Sequence, residues 1–237
     1  MIEIERFTDI GVERERNEDN FIYFRCRLDG QEIVIACVCD GMGGLDAGDY
    51  ASREVCESLK HEIVGRDFVN MSEIRRAVTI AIKRSNQAIY KSKTKYGKKC
   101  GTTISCVVLA DKGYLWHVGD SRIIRVQNGT VKNLTTDHTL VNKMIERGRI
   151  TEKQAINHPK RNVLVNAVGV FNDVSIDMEE FEYRNSTIVL ATDGFWHGLS
   201  KSDYIRLSNK EVTLETLFDK VINKGETDNV TALALYC

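Results

Sequence analysis

The sequence contains little that would divide the chain or anchor it in a membrane. Pro159 is the only proline among 237 residues, and no Gly/Ser-rich linker, low-complexity tract or internal repeat occurs. We therefore expect one domain over residues 1–237. There is no apolar run of 18 residues, so no transmembrane helix is expected. The acidic N-terminus lacks the apolar core of a signal peptide, which favours a cytoplasmic protein.

An excess of one charge and paired metal-binding cysteines are also missing. The formal net charge is −1, which does not indicate binding to nucleic acid or to an anionic membrane. None of the seven cysteines stands in CxxC-type spacing, so we interpret them as reduced, buried thiols. The ordinary composition of the surface leads us to expect a monomer.

Apolar patterns predict strands and helices that are segregated along the chain. Strand-like alternation covers residues 2–7, 20–26 and 32–39, and the third run is apolar on both faces, as in a buried strand. Two helices follow, one from about Asp46 and one that Ser72 could cap. Further strands, a helix over residues 213–223 and a last strand over residues 230–236 complete the pattern. Segregation of this kind favours an α+β fold with antiparallel sheets.

Four acidic residues lie where a predicted strand meets a turn: Asp40, Asp120, Asp193 and Asp228. Strand ends are rigid and can hold ligands accurately. Oxygen ligands without His or Cys favour Mg²⁺ or Mn²⁺ over Zn²⁺. Four independent, solvated surface acids would give the same spacing, so the residues alone leave both interpretations open.

The polar segment over residues 8–20 adds basic groups to these acids. Arg14 and Arg16 lie close in sequence to Glu18 and Asp19. A guanidinium beside a metal–carboxylate site can bind a phosphate through two hydrogen bonds. A solvated loop is the simpler alternative.

Seven motifs occur in the order found in one enzyme family. They are TDIGVERERNEDN at residues 8–20, DGMGG at 40–44, CGTTISCVV at 100–108, HVGDSRIIRV at 117–126, a segment over 134–169 that begins LTTDHTL, ATDGFWHGLS at 191–200 and TDNVTALAL at 227–235. With these motifs the chain resembles the type 2C metal-dependent serine/threonine protein phosphatases in their short bacterial form. The resemblance implies two stacked antiparallel β-sheets flanked by α-helices, with the metals in a cleft at one end.

The resemblance also implies roles for individual residues. Arg14 would bind the substrate phosphate and, with Asp40 and Asp193, carry catalysis. Asp40 would bridge two Mn²⁺ or Mg²⁺ ions, and Asp120 would join Asp193 around a third, weaker ion. The implied metal set is Glu18, Asp19, Asp40, Gly41 (through its carbonyl), Asp120, Asp193 and Asp228.

The implied reaction is hydrolysis of phosphoserine and phosphothreonine on proteins by a hydroxide bound to two metal ions. The partners would be phosphorylated proteins, the substrates of a serine/threonine kinase. The segment at about residues 139–169 resembles the family's mobile flap, with a purely structural connection as the alternative. Arg161 and Asn162 are interpreted as structural within it. His138 is interpreted as a structural hydrogen-bonding residue.

Two departures leave the acid for the leaving group open. Some relatives carry His where this chain has Met42, and others carry His where it has Leu45. A metal-bound water is the preferred acid, with Asp46 and Asp49 as alternatives. Two other functions remain: a non-catalytic binding module, which would lack metal carboxylates, and a hydrolase of small phosphate esters or nucleotides, for which no Walker-type loop occurs.

Overall fold

Two stacked β-sheets form the centre of the molecule. The computed structural model describes residues 2–43, 47–96 and 100–237. The strands are β1 (Glu3–Asp9), β2 (Asn20–Leu28), β3 (Gln31–Cys39), β4 (Gly41–Met42), β5 (Asp67–Phe68), β6 (Gly101–Thr102), β7 (Ile104–Leu109), β8 (Gly113–Val118), β9 (Arg122–Gln127), β10 (Thr130–Asn133), β11 (Asp177–Phe181), β12 (Thr187–Ala191) and β13 (Val230–Tyr236). The helices are α1 (Ala47–Ile63), α2 (Met71–Tyr96), α3 (Leu140–Glu146), α4 (Glu152–Ile156), α5 (Asp193–Trp196), α6 (Lys201–Ser208) and α7 (Leu214–Asn223).

The strand order joins distant parts of the sequence. One sheet has the order β1-β13-β12-β9-β10, and the other has the order β11-β8-β7-β3-β2-β5. All pairings in these two sheets are antiparallel except the two-residue pairing of β5 with β2. The short strands β4 and β6 form a separate pair beside the sheets.

Alternating side chains of each strand fill different layers of the core. In β3, Val34, Ala36 and Val38 belong to the apolar cluster between the two sheets, whereas Ile33 and Ile35 belong to the cluster beneath α1 and α2. This double burial explains why β3 is apolar on both faces. A third cluster lies between the five-stranded sheet and the helices α6 and α7. The resulting helix–sheet–sheet–helix layering confirms the predicted α+β fold.

Two local features differ from the sequence prediction. Helix α2 begins at Met71, and the side chain of Asn70 accepts a hydrogen bond from the amide of Glu73 (3.1 Å). Asn70 therefore does the capping predicted for Ser72, which lies inside the first turn. Helix α6 was not predicted. The Ser200 hydroxyl and the Asp203 carboxylate form a capping box at its start. The residues that follow this capping box do not form a long apolar pattern, which is why the helix was not predicted.

The segment over residues 139–169 contains α3 and α4. One isolated bridge joins Thr139 to Leu164 within the segment, and another joins Val168 to Thr102 of β6. Its identity as a separate flap remains a prediction. Within the described residues, no helix combines the length and apolar character needed to cross a membrane.

Candidate metal and phosphate site

The four acids at strand ends meet at one edge of the sandwich. Asp40 follows β3, Asp193 follows β12, and Asp228 lies just before β13. Because β12 and β13 are antiparallel, the end of one and the start of the other share an edge. Asp120, between β8 and β9, is at the same edge. The two sheets thus each contribute carboxylates to one place.

A cleft of about 590 Å³ opens at this edge. Most of the predicted site residues line it: Arg14, Glu18, Asp40, Gly41, Asp120, Asp193 and Asp228. Apolar residues also line the cleft, namely Met42, Leu164, Ala167, Val170 and Phe171. Asn162 of the predicted flap also lines the cleft, so a residue interpreted as structural stands at the site.

Asn229 holds the N-terminal loop against β13. Its side-chain oxygen accepts from the amide of Glu18 (2.9 Å), and its side-chain nitrogen donates to the carbonyls of Ile10 (2.8 Å) and Arg16 (2.9 Å). The side chain is buried, so each of these bonds replaces one to water. Gly11 permits the approach, because a Cβ there would lie 2.1 Å from the carbonyl oxygen of Asp228, and its φ is +76°.

Two glycines make room for the Glu18 segment. A Cβ at Gly48 would lie 2.6 Å from the Glu18 carboxylate, and a Cβ at Gly41 would lie 2.4 Å from the Glu18 carbonyl oxygen. The Gly48 amide donates to the Glu18 carboxylate (3.2 Å), and the Ser52 hydroxyl donates to the Glu18 carbonyl (2.6 Å). The start of α1 therefore positions Glu18 at the cleft.

The backbone of Asp40 is fixed from the neighbouring strand. Its amide donates to the Thr103 hydroxyl (2.9 Å), and its carbonyl accepts from the Thr103 amide (2.9 Å) and the Thr102 hydroxyl (2.9 Å). Three bonds to two residues fix the backbone from which the Asp40 carboxylate projects. The GTT run at residues 101–103 thus acts as a clamp for Asp40.

The carboxylates of the cleft repel one another. Burial, followed by the charges of Asp19, Asp193 and Asp120, raises the pKa of Asp40 well above its ordinary value. Burial and then Asp193 raise the pKa of Asp120 well above its ordinary value. Burial also raises the pKa of Asp193, and the charge of Asp228 adds to the rise. The acids are thus close enough that some need a proton or a cation between them.

Arg14 is the basic residue among those that line the cleft. Its guanidinium forms an ion pair with the Asp228 carboxylate (2.8 Å), and half of the side chain is exposed. This bond to Asp228 raises the pKa of Arg14, so the group stays charged. A guanidinium has five N–H donors, so others remain for a phosphate above the cleft.

Some predicted residues lie away from the cleft or cannot be placed. Asp19 does not line the cleft; it is buried behind it and accepts a hydrogen bond from Thr192 (2.8 Å). Burial is the main cause that raises the pKa of Asp19 to about 8. Asp49 pairs with Arg53 and Asn20 and does not line the cleft either. Gly44, Leu45 and Asp46 lie outside the described residues.

His138 has the structural role predicted for it. Its Nδ1 accepts from the amide of Gly119 (3.1 Å) and from the Asn166 side chain (3.0 Å), and its Nε2 donates to Asp177 (3.0 Å). Both ring nitrogens are therefore engaged in joining the predicted flap to the sheet.

The donor set of the cleft fits hard divalent cations. Five carboxylates against one guanidinium leave an excess of negative charge, and oxygen donors suit Mg²⁺ and Mn²⁺. In the described part of the chain, no group of three or more Asp, Glu, His or Cys side chains has the arrangement of ligands around one metal ion. A cation bound in the cleft would relieve the repulsion among Asp40, Asp120 and Asp193.

Sequence reasoning did not single out Asn229, Thr103 or Ser52. Each acts on the site through backbone atoms of another segment, and such contacts leave no pattern of spacing. The one available signal was position, since Asn229 and Thr103 each lie within one of the seven motifs and Asn229 directly follows Asp228.

Comparison with known proteins assigns the family. A model described as protein phosphatase 2C matches residues 12–234. The serine/threonine phosphatase Stp of Listeria monocytogenes is 33% identical over 238 residues, which cover 95% of this chain and 92% of that protein. The solved serine/threonine phosphatase of S. agalactiae is 32% identical, with a TM-score of 0.92 over 100% of this chain and 99% of that one.

A more distant solved structure shares the fold. It is the catalytic domain of the phosphatase PstP in complex with two manganese ions, 23% identical, with a TM-score of 0.78 over 99% of this chain and 97% of that one. From the match over residues 12–234 and the shared fold, the chain belongs to the protein phosphatase 2C family, the metal-dependent serine/threonine phosphatases.

Proposed function

We propose that this protein hydrolyses phosphoserine and phosphothreonine on proteins, with two Mn²⁺ or Mg²⁺ ions in the acidic cleft. The observation that carries the proposal is the convergence of five carboxylates and Arg14 in one open cleft. Membership of the protein phosphatase 2C family supports it.

Asp40 would hold both ions, with Asp193 and Asp228 on one and Glu18 and the Gly41 carbonyl towards the other. When bound, the cations supply a hydroxide nucleophile from water at neutral pH and offset the charge of the phosphoryl group. Asp120 and Asp193 would share a third, weaker ion. The buried Asp19 would act behind these ligands, through water or by orienting them.

Arg14 would bind and orient the phosphate. Asp228 fixes one edge of its guanidinium, which would leave other N–H groups to donate to the phosphoryl oxygens. In the transition state these bonds strengthen as charge spreads over those oxygens. Met42 has no ionisable proton, and Asp49 forms an ion pair with Arg53. Neither of these described residues would therefore protonate the leaving oxygen, and water would do so.

The partners would be proteins that a serine/threonine kinase has phosphorylated. The cleft is open at the surface, as a site for a protein segment needs to be. A monomer is our working assumption. The cysteines are free, six of them buried, which agrees with a reducing compartment such as the cytoplasm.

Phosphate release from a phosphothreonine peptide tests the proposal. We would measure it without metal and with Mn²⁺, for the wild type, Asp193→Ala and the control Asp219→Ala, an exposed acid on α7. We expect Mn²⁺-dependent turnover that falls at least about 100-fold in Asp193→Ala only, since even outer-shell changes cost 10–100-fold.

Other results would point to the other functions. Folded wild type without turnover under either metal would favour the non-catalytic binding module. Turnover of small phosphate esters without turnover of phosphopeptides would favour the small-ester hydrolase.

A further inference from the structure

A second cavity adjoins the catalytic cleft. Its volume is about 550 Å³, within the range of about 300–1,000 Å³ common for ligand pockets. Asp120 and Asn162 line both spaces, so the cavity begins where the cleft ends. Apart from Asp120 at the boundary, none of the residues proposed to hold the metals or the phosphate lines it.

One wall of the cavity comes from α3 and α4 and carries four aliphatic side chains, those of Val141, Ile145, Ala155 and Ile156. Asn142, Glu146 and Glu152 of the same helices also line it. Helix α4 buries none of its residues, and Ile156 is 68% exposed. A capping box between Thr151 and Gln154 stabilises this short helix instead. Its apolar side chains are therefore not needed to hold α4 in the core.

The opposite wall is held rigidly and is tied to the catalytic centre. The Trp196 indole donates to the Asp120 carbonyl (3.0 Å). The Arg122 guanidinium lies over the indole ring and binds both oxygens of Asp137 (3.0 and 2.7 Å). The cavity is thus lined by a fixed aromatic ring and by aliphatic side chains, of which Ile156 is exposed.

The second cavity is continuous with the catalytic cleft, and this continuity indicates what binds in the cavity. A substrate segment with its phosphate in the cleft advances about 3.3 Å per residue when extended, so side chains near the phosphoresidue reach the adjoining space. Resting on the function proposed above, we infer that this cavity binds an apolar side chain of the phosphoprotein, within three residues of the phosphoresidue. It would make the enzyme select among phosphorylated sites.

Phosphothreonine peptides of matched sequence test the inference. The peptides carry Leu, Lys or Glu at one of three positions on either side of the phosphothreonine, in an otherwise alanine background. The enzymes are the wild type, Ile156→Ser and the control Val163→Ser. Val163 lies in the same segment and is 45% exposed, but it lines neither cavity. para-Nitrophenyl phosphate, with no flanking residues, reports the chemistry alone.

We expect Leu at one position to raise kcat/KM about tenfold over alanine, as a filled apolar pocket does. In Ile156→Ser, the ratio of kcat/KM for the leucine peptide to that for the alanine peptide should fall close to one. In Val163→Ser, this ratio should stay as in the wild type. A preference for Lys, equal rates for all peptides, or a leucine preference that survives Ile156→Ser would overturn the inference. Hydrolysis of para-nitrophenyl phosphate without hydrolysis of any phosphopeptide would instead overturn the proposed function, and the inference with it.

Discussion

At the scale of single residues, some side chains and glycines at the cleft act by positioning another segment of the chain. Gly11 and Asn229 are two examples. Neither carries charge, yet one lets the N-terminal loop approach Asp228, and the other ties that loop down through three hydrogen bonds. Arg14 and Glu18 lie on the same loop, so their positions depend on both residues.

Substitutions at two glycines separate the effect of steric overlap on stability from the effect of backbone conformation. Gly11 and Gly129 both have left-handed φ, +76° and +69°, but a Cβ at Gly129 meets nothing within 4 Å. We expect Gly129→Ala to lower the free energy of unfolding by about 1 kcal/mol. Gly11→Ala should lower it by about 2–4 kcal/mol, because the new Cβ overlaps the Asp228 carbonyl. Urea denaturation measures both.

The same pair should differ in activity. Displacing the loop moves Arg14 and Glu18, so Gly11→Ala should reduce kcat/KM by about 100-fold, the effect of an ångström-sized displacement. Gly129→Ala lies in the turn between β9 and β10 and should leave kcat/KM unchanged. Equal destabilisation by the two substitutions, with full activity in both, would contradict this account of Gly11.

The carboxylates of the site could be predicted because they carry a signal in the sequence. Asp40, Asp120, Asp193 and Asp228 each interrupt an apolar strand pattern, and the structure brings all four to one cleft. Asp19 was predicted beside them but lies buried behind them, bonded to Thr192. Glu18 and Asp19 lie in the loop before β2, where no strand or helix period predicts which of the two side chains faces the cleft.

Elements of regular structure could be predicted where they bury a periodic apolar face. Strand β3 and helix α7 do so, and both were predicted. Helix α6 was missed because Tyr204 and Leu207 are its main buried apolar residues, too few for a recognisable stripe. The cap of α2 was misassigned by two residues because Asn70 and Ser72 are both favourable caps.

Two helix caps allow a test of how independent the segment around α4 is. Thr151 caps α4, which buries no residue, and Thr213 caps α7, which buries Leu214, Leu217 and Val221. Each Thr→Ala substitution removes about 1 kcal/mol of local stabilisation. We expect Thr151→Ala to speed amide hydrogen exchange about fivefold within residues 152–157 without changing global stability. Thr213→Ala should lower global stability instead.

The conservative variant Thr151→Ser retains the hydroxyl and should restore wild-type exchange. A fall in global stability for Thr151→Ala equal to that for Thr213→Ala would show that α4 unfolds with the rest of the protein. The segment would then be a structural connection and not a separately mobile flap.

At the scale of the whole molecule, the sandwich brings a loop from the N-terminal part of the chain and a loop from the C-terminal part together at the site. Strands β1 and β13 are paired along their full length, and the loop after β1 reaches Asp228 just before β13. The segregation of strands and helices predicted this architecture, since layered packing follows from which faces are apolar. The second cavity could not be predicted, because its walls come from α3, α4 and Trp196, which meet only in the folded chain.

Because the acidic cleft joins the two sheets, occupancy by metal should stabilise the entire fold. At a Mn²⁺ concentration about 100 times the dissociation constant, binding adds about 2.7 kcal/mol. For a chain of this size that corresponds to a rise in Tm of about 5–11 °C, which thermal unfolding in EDTA and in Mn²⁺ would measure. Asp193→Asn removes one repelling charge, so without metal its Tm should exceed that of the wild type. It should also respond less to Mn²⁺, because a ligand is lost. The control Asp219→Asn should behave as the wild type in both conditions. An equal rise in Tm for Asp193→Asn and the wild type would place the stabilising ions elsewhere on the protein.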